Sequence, residues 1–477
     1  LRALIDWSYD LLTFEEKILW SRMSVFSCWY TLEAAEEICS DEVLNKNDIL
    51  DLLSALREKS NIIYDESNER YKLLESIRQY GREKLEKENV IFSKHLDYFL
   101  ELSLKAKPEL KSSNVKKWLD LIEADHNNFL SAIEWGLNNE EAEKGALVAD
   151  ALGRFWEIRG QYSTGIKLLE IILKKHFDLT INTKANILNL AGNLNRYQGN
   201  YENAGKYFEE SLTNFRETGD KMGISTTINN LGSLAFTQGK FEKAKKFFEE
   251  SMNIKEEIGD KMGIAGSLNN LGGVAFSTGD YDEAMKYYEY SLSIRKDIGD
   301  KHGIAASLNN LGGLELYRGN FKQAKKFFEE SLDIKREIGD KKGIASSLGN
   351  VGSVAKSQGD FELTKKIYEE SLAIFREIGD KQGIANFLNN LGDLVSSQKD
   401  YVQALKFYEE SLAIFREIGD KQGISSSHSN LGKMAISKGD FETAGKTLEE
   451  SLTIFKEIGD KHGIALSLFG LGNLALY

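Results

Sequence analysis

Gly259-Asp260-Lys261-Met262-Gly263-Ile264, followed by a helical stretch and then Gly279-Asp280-Tyr281, is the run whose reading decides the fold. The same Gly-Asp opening returns at 219–220, 299–300, 339–340, 379–380, 419–420 and 459–460, forty residues apart with no slippage. Self-similarity at such a period marks a solenoid, in which each unit buries its apolar face only against its neighbours. Gly259 stands where one helix must stop, because glycine takes the left-handed conformation without steric cost. Asp260 then caps the next helix. Gly279 repeats the stop, and Asp280 caps the second helix, with Glu283 in the capping-box position. Asn200, Asn320, Asp360, Asp400 and Asp440 are expected to cap in the same way, and Lys240 is the exception. Proline occurs once, at Pro108, while glycine reaches 41, so helices here are stopped by glycine.

Leu271-Gly272, Gly279, Tyr281, Ala284 and Tyr288 resemble, position by position, the tetratricopeptide repeat. Gly272 and Ala284 fall where two helices cross closely. Thr364 replaces the alanine found at 204, 244, 284, 324, 404 and 444, and a looser crossing is expected there. Forty-residue forms of this repeat occur in G-protein-signalling modulators, kinesin light chains and bacterial peptide-sensing regulators. The resemblance implies an all-α, right-handed solenoid whose first helices line a concave face. It also implies a small winged-helix domain at the front, on residues given below.

The 477 residues divide on this reading into 1–90, a winged-helix domain; 91–140, a helical bridge; 141–180, a degenerate first repeat; 181–460, seven repeats; and 461–477, an interrupted one. In the first segment Thr13-Phe14-Glu15-Glu16 has the capping-box form. Ile62-Ile63-Tyr64 and Arg70-Tyr71-Lys72-Leu73 read as a hairpin with a five-residue loop, and a helix from Leu74 to about Lys87 follows. Leu1 to Leu12, Ser24-Val25-Phe26, Thr31 to Glu36 and Arg70 to Tyr80 are similar to the winged-helix segment that follows the nucleotide-binding module in bacterial STAND signal-transduction ATPases. That resemblance implies an upstream NTPase domain as a partner. No Gly-x-x-x-x-Gly-Lys-[Ser/Thr] loop occurs in the chain, and Leu73-Leu74-Glu75 stands where some relatives carry a nucleotide-contacting His. The sequence is thus read as a fragment whose ATPase lies upstream.

Composition narrows the classes further. A net charge of −13 argues against a nucleic-acid surface, and the helix at 48–60 sets Asp48, Asp51 and Glu58 against Arg57 and Lys59. No run of 18 apolar residues offers a membrane span. Cys28 and Cys39 are too few for a disulfide framework or a zinc site, which argues for the reducing cytoplasm. His95 and His126 stand on apolar faces and read as core residues. No constellation of nucleophile, base and acid, and no cofactor motif, supports an enzyme.

Two rows on the first helices carry the binding expectation. One is Asn230, Asn270, Asn310, Asn350, Asn390 and Asn430; the other is Asn189, Asn229, Asn269, Asn309 and Asn389, broken by Gly349 and Ser429. A carboxamide both donates and accepts, so a ladder of them suits the backbone of an extended peptide. The same rows could staple one copy to the next, and the two roles are not exclusive. Neighbouring positions are small: Gly266, Ala306, Ser346, and Gly273, Gly313, Ser353. Phe236, Phe276 and Leu316 give way to Lys356 and Ser396, an apolar half followed by a polar half. The loop position of Met222, Met262, His302, Lys342, Gln382, Gln422 and His462 varies freely, so it is expected to face solvent. The function read from these features is a protein- or peptide-binding sensor arm of a signal-transduction regulator; the alternative is a stand-alone scaffold without a nucleotide switch.

Overall fold

The computed structural model describes residues 2–85, 89–110, 112–175 and 177–475. The expected end of the Leu74 helix near Lys87 lies outside them. The chain forms two compact units: residues 1–110, 117–152 and 174–183, and residues 111–116, 153–173 and 184–477. The 141–180 segment is therefore shared, its first helix (Ala142–Ala151) in one unit and the next two (Gly153–Arg159, Tyr162–Lys174) in the other.

In the first unit, Thr13 and Glu16 close the capping box in both directions at the start of helix Phe14–Arg22. Helices Leu32–Cys39 and Ile49–Glu58 follow, and then a three-stranded antiparallel sheet in the order β1 (Tyr30–Thr31), β3 (Arg70–Leu73), β2 (Ile62–Asp65). Asp48 makes no capping bond; Asn45 instead caps the short turn ahead of it. The hairpin register sets Ile62 opposite Leu73 and Tyr64 opposite Tyr71. Arg70 at the start of β3 holds Asp125 with two bonds of 2.9 and 2.6 Å, both side chains nearly buried. Paired charges of this kind survive burial because each satisfies the other's bonding capacity. Pro108, which reads from the sequence as a break between helices, lies within the last turn of helix Asn89–Glu109. His95 is buried between Phe26 and Phe99, and burial lowers its pKa to about 3, so it is neutral.

In the second unit, helices of 17 or 18 residues alternate from Tyr201 to Ile458, each copy pairing a first and a second helix. The stops behave as read: Gly259 has φ +71° and Gly279 φ +88°. Asp260 Oδ1 accepts from Gly263 N at 2.9 Å, and the equivalent bond forms at Asp220, Asp300, Asp340, Asp380, Asp420 and Asp460. A side chain at Gly263 would collide with the capping carboxylate and with Lys255. At Gly303 and Gly343 the capping carboxylate again stands in the way, whereas at Gly223, Gly383, Gly423 and Gly463 the ring of Phe215, Phe375, Phe415 or Phe455 does. Among the second helices, Asp280, Asp360, Asp400 and Asp440 cap with their side chains, whereas Asn200 and Asn320 do not. Their amides are turned away to Gln198 and Glu315, so the capping read for them fails. Glu283 does not close the box either; its carboxylate accepts from Tyr287.

Gly272 faces the Tyr288 ring, where an added Cβ would lie 2.5 Å from Cε1; Gly352 faces Tyr368 at 2.6 Å. The Thr364 copy therefore crosses as closely as its neighbours. Thr364 is fully buried and its hydroxyl donates to Asp360 O at 2.7 Å, which absorbs the change from alanine without moving the helices. A row not anticipated from the sequence bolts the two helices of each copy together. Ser211, Ser251, Ser291, Ser331, Ser371, Ser411 and Ser451 are fully buried, and each hydroxyl donates to a carbonyl of the first helix of the same copy at 2.7–2.9 Å. A buried hydroxyl so satisfied is tolerated, and one without a partner costs about 1–3 kcal/mol.

Within this unit the array winds back onto itself. Arg159 Nη1 donates to Ile378 O at 3.1 Å, Tyr162 Oη to Gln382 Oε1 at 2.8 Å, and Tyr201 Oη to Gln422 Oε1 at 3.3 Å, partners 219 to 221 residues apart. The Gly160 turn takes the Ile418 side chain, and the Gly199 turn faces Lys421 and Ile458. Phe455 and Ile458 join one apolar cluster with Tyr201, Phe208 and Leu231. The loop position expected to face solvent therefore does so at Met222 and Met262, but at Gln382 it is half-buried and bonded to the earlier turn.

Candidate binding groove on the first helices

A cavity of about 300 Å³ opens on the first-helix side of the early copies. Phe236, Asn269, Asn270 and Asn310 line it, with Gly273, Tyr288 and Arg196. Four of the anticipated side chains thus meet at one hollow. Asn229, Asn230, Asn309, Asn350, Asn389, Asn390, Asn430, Phe276 and Leu316 lie on the same rows outside it.

The asparagine rows divide by bonding. Asn270 Nδ2 donates to Asn229 Oδ1, and Asn230 Nδ2 to Asn189 Oδ1, each at 2.9 Å across adjacent copies. Asn269 accepts from Ser307 at 3.3 Å, Asn309 donates to Ser347 at 3.2 Å and Asn389 to Ser427 at 3.1 Å. These residues connect neighbouring copies. The carboxamides of Asn310, Asn350, Asn390 and Asn430, half-buried, have no hydrogen bond among the described residues. The pairing between the two rows thus ends after Asn270, and from Asn269 onward the second row bonds to the serines of the next copy.

The small positions also divide. An added Cβ at Gly272 or Gly312 would strike the ring of Tyr288 or Phe328. At Gly266 and Gly313 it would meet nothing within 4 Å, and at Gly273 only the Tyr288 hydroxyl at 3.9 Å. Interior packing demands the first pair and leaves the second set unexplained.

Phe236, Phe276 and Leu316 each lean partly on the core of their own copy and are half-exposed towards the groove. Arg196 escaped the sequence reading. It occupies the Phe236 position one copy earlier, and a forty-residue alignment of 196 with 236 was the signal available.

Comparison with known proteins agrees with this architecture. Residues 183–257, 263–337 and 343–417 match the tetratricopeptide-repeat family, and residues 384–475 match anaphase-promoting complex subunit 5. The array is a tetratricopeptide-repeat solenoid, and the chain is all-α apart from the small sheet. The crystal structure of a Rap protein complexed with competence and sporulation factor superposes with a TM-score of 0.52 at 12% identity, over 75% of this chain and 98% of that one. A STAND protein with a tetratricopeptide-repeat sensor from Pyrococcus horikoshii gives a TM-score of 0.43 at 18% identity, covering 95% of this chain and 66% of that one. A curated Mycobacterium tuberculosis relative, named as an HTH-type transcriptional regulator, is 29% identical over 178 residues. That match takes in 36% of this chain, which spans only a fifth (20%) of the relative's length. Among the described residues no helix is long and apolar enough to cross a membrane.

Proposed function

We propose that the array is the sensor arm of a signal-transduction regulator. It binds an extended segment of a protein or peptide along the first helices and relays occupancy to an NTPase module carried upstream. The front segment, 1–90, acts on this reading as a winged-helix relay, 91–140 as its helical bridge, and the protein works in the cytoplasm. It is a binding arm and performs no reaction of its own.

The glycines of the groove carry the reading. A glycine inside a helix is less favourable than alanine by about 1 kcal/mol. Gly272 and Gly312 return that loss through close packing; Gly266, Gly273 and Gly313 return nothing inside the fold. They leave the helix surface bare beside the unbonded Asn310 and next to the cavity. A foreign backbone could approach there and exchange hydrogen bonds with the carboxamides. The Rap structure of similar fold was solved with a bound factor, and the curated relative's name is that of a regulator; both accord with the proposal. The relay rests on the winged-helix resemblance of residues 1–90.

The test uses the full chain as bait and a recovered, purified partner as analyte. Asn310→Ala, Asn350→Ala and Asn390→Ala combined should weaken the partner at least tenfold with no change in Tm. Gly273→Ala with Gly313→Ala should raise stability by about 1 kcal/mol per site while weakening binding. Full affinity in both variants would remove the groove from the proposal.

A further inference from the structure

The inference rests on the groove reading above and concerns the chemistry of the ligand. Aligned copy by copy, the row Phe236, Phe276, Leu316 is preceded by Arg196 and followed by Lys356. Arg196 lines the cavity of about 300 Å³ together with Phe236, Asn270 and Asn310. Its guanidinium carbon lies 4.5 Å from the Tyr197 ring centroid, which fixes the group from one side. Its Nε is buried and donates to nothing. No carboxylate among the described residues pairs with it, and Glu157 on a preceding helix is taken by Arg154. The chain carries 74 acidic residues against 61 basic ones, so an unpaired arginine in a hollow of this protein is not for want of acids.

A guanidinium stays protonated at any physiological pH and presents a planar fork matched to a carboxylate. Held beside a ring, it has little rotamer freedom left to lose, and a ligand carboxylate would gain charge-assisted bonds in a partly dry site. The unbonded Asn310 stands beside it for the ligand's backbone, and Phe236 for an apolar side chain. We infer that the cavity takes an acidic side chain of an extended peptide, followed by an apolar residue on Phe236, with the apolar part continuing past Phe276 and Leu316 towards Lys356.

The test is a selection of displayed random peptides of about twelve residues, roughly 40 Å when extended, with both ends joined to the carrier so that no free carboxyl terminus is present. The intact chain and its Arg196→Glu variant serve as targets, each checked by circular dichroism melting. The intact chain should enrich sequences with Asp or Glu beside an apolar residue. Arg196→Glu should shift that position to Lys or Arg and keep the apolar preference. A selected peptide should lose roughly tenfold to a hundredfold in Kd on changing its acid to the amide, and no further factor when Arg196→Gln is combined with it. Peptides enriched without an acid, or unchanged by Arg196→Glu, overturn the acidic anchor and leave the groove standing. Recovery of peptides only with a free carboxyl terminus overturns it too. Failure to enrich any peptide that the Asn310, Asn350 and Asn390 replacements release overturns the groove itself.

Discussion

The copies opening at Gly259, Gly299 and Gly339 and those opening at Gly379, Gly419 and Gly459 share a motif but solve one electrostatic problem in opposite ways. Each has a capping aspartate set in the turn between copies. In the earlier three, the residue five positions upstream is Lys255, Arg295 or Lys335, and the last two reach their caps at 3.0 and 2.6 Å. Burial lowers the Lys255 pKa, the Asp260 charge opposing it, while the Lys335 ammonium beside Asp340 holds that carboxyl below its ordinary value. In the later three the upstream residue is Phe375, Phe415 or Phe455. There the cap is nearly buried, at 1%, 4% and 7% exposure for Asp380, Asp420 and Asp460, where the late array packs against the early one. Lys342 rescues Asp380 at 2.7 Å. Asp420, besides its capping bond from Gly423 N, has the neutral Gln382 amide at 3.2 Å and no cation paired with it among the described residues, and burial raises its pKa to about 6. The contrast teaches that a repeat's local environment is set by what lies a full winding away as much as by its own sequence.

The largest expected break is Ile418→Asp. Ile418 is 1% exposed, seated at the Gly160 turn, and a carboxylate there should cost 3 kcal/mol or more in urea unfolding. The same change at Ile258, which is half-exposed, should cost less than about 1 kcal/mol. Equal losses would mean that the winding contact contributes nothing. Next, Arg295→Met strips the cap at Asp300 of its cation in a pair 11% and 13% exposed, with an expected loss of about 2 kcal/mol.

Asp420 gives the third effect, through pH. Its folded pKa of about 6 lies above an unfolded value near 4. Between those values the folded state binds more protons, so stability should be greatest near pH 4 and fall by about 2 kcal/mol as pH rises through 6. Asp420→Asn should flatten that slope in denaturation curves taken from pH 4 to 7; an unchanged slope would assign it to other groups. The smallest effect is expected for Lys301→Ala, which removes an exposed pair with Glu337 and should shift stability by less than about 0.5 kcal/mol.

Local features were the legible ones. The stops at Gly259 and Gly279, the cap at Asp260, the crossing at Gly272 and the hairpin after Asn61 each follow from residues within a few positions of one another. The hairpin loop came out shorter because Asp65 joins β2 and pairs with Arg70. What escaped was set by distant partners. Asn200 and Asn320 have the right chemistry for a cap, but Gln198 and Glu315 compete for their amides. Ser291 looked like an ordinary helix-surface serine until Ala265 O was brought over it. In the groove, one asparagine row could not be told from the other by identity alone. Asn229 and Asn310 differ only in whether a neighbouring copy supplies an amide or leaves the group open.

The offset of 219 to 221 residues between bonded partners also bears on how such a gene can change length. Unequal recombination between near-identical copies should delete or duplicate forty-residue blocks readily. Loss of one block between Tyr201 and Lys381 would carry Tyr162 past Gln382 to the next copy. There Lys421-Gln422-Gly423-Ile424 repeats Lys381-Gln382-Gly383-Ile384 residue for residue, so the same bond could reform one step along. A second deletion would bring His462 to that place, and the bond to Tyr162 would have no glutamine to accept it.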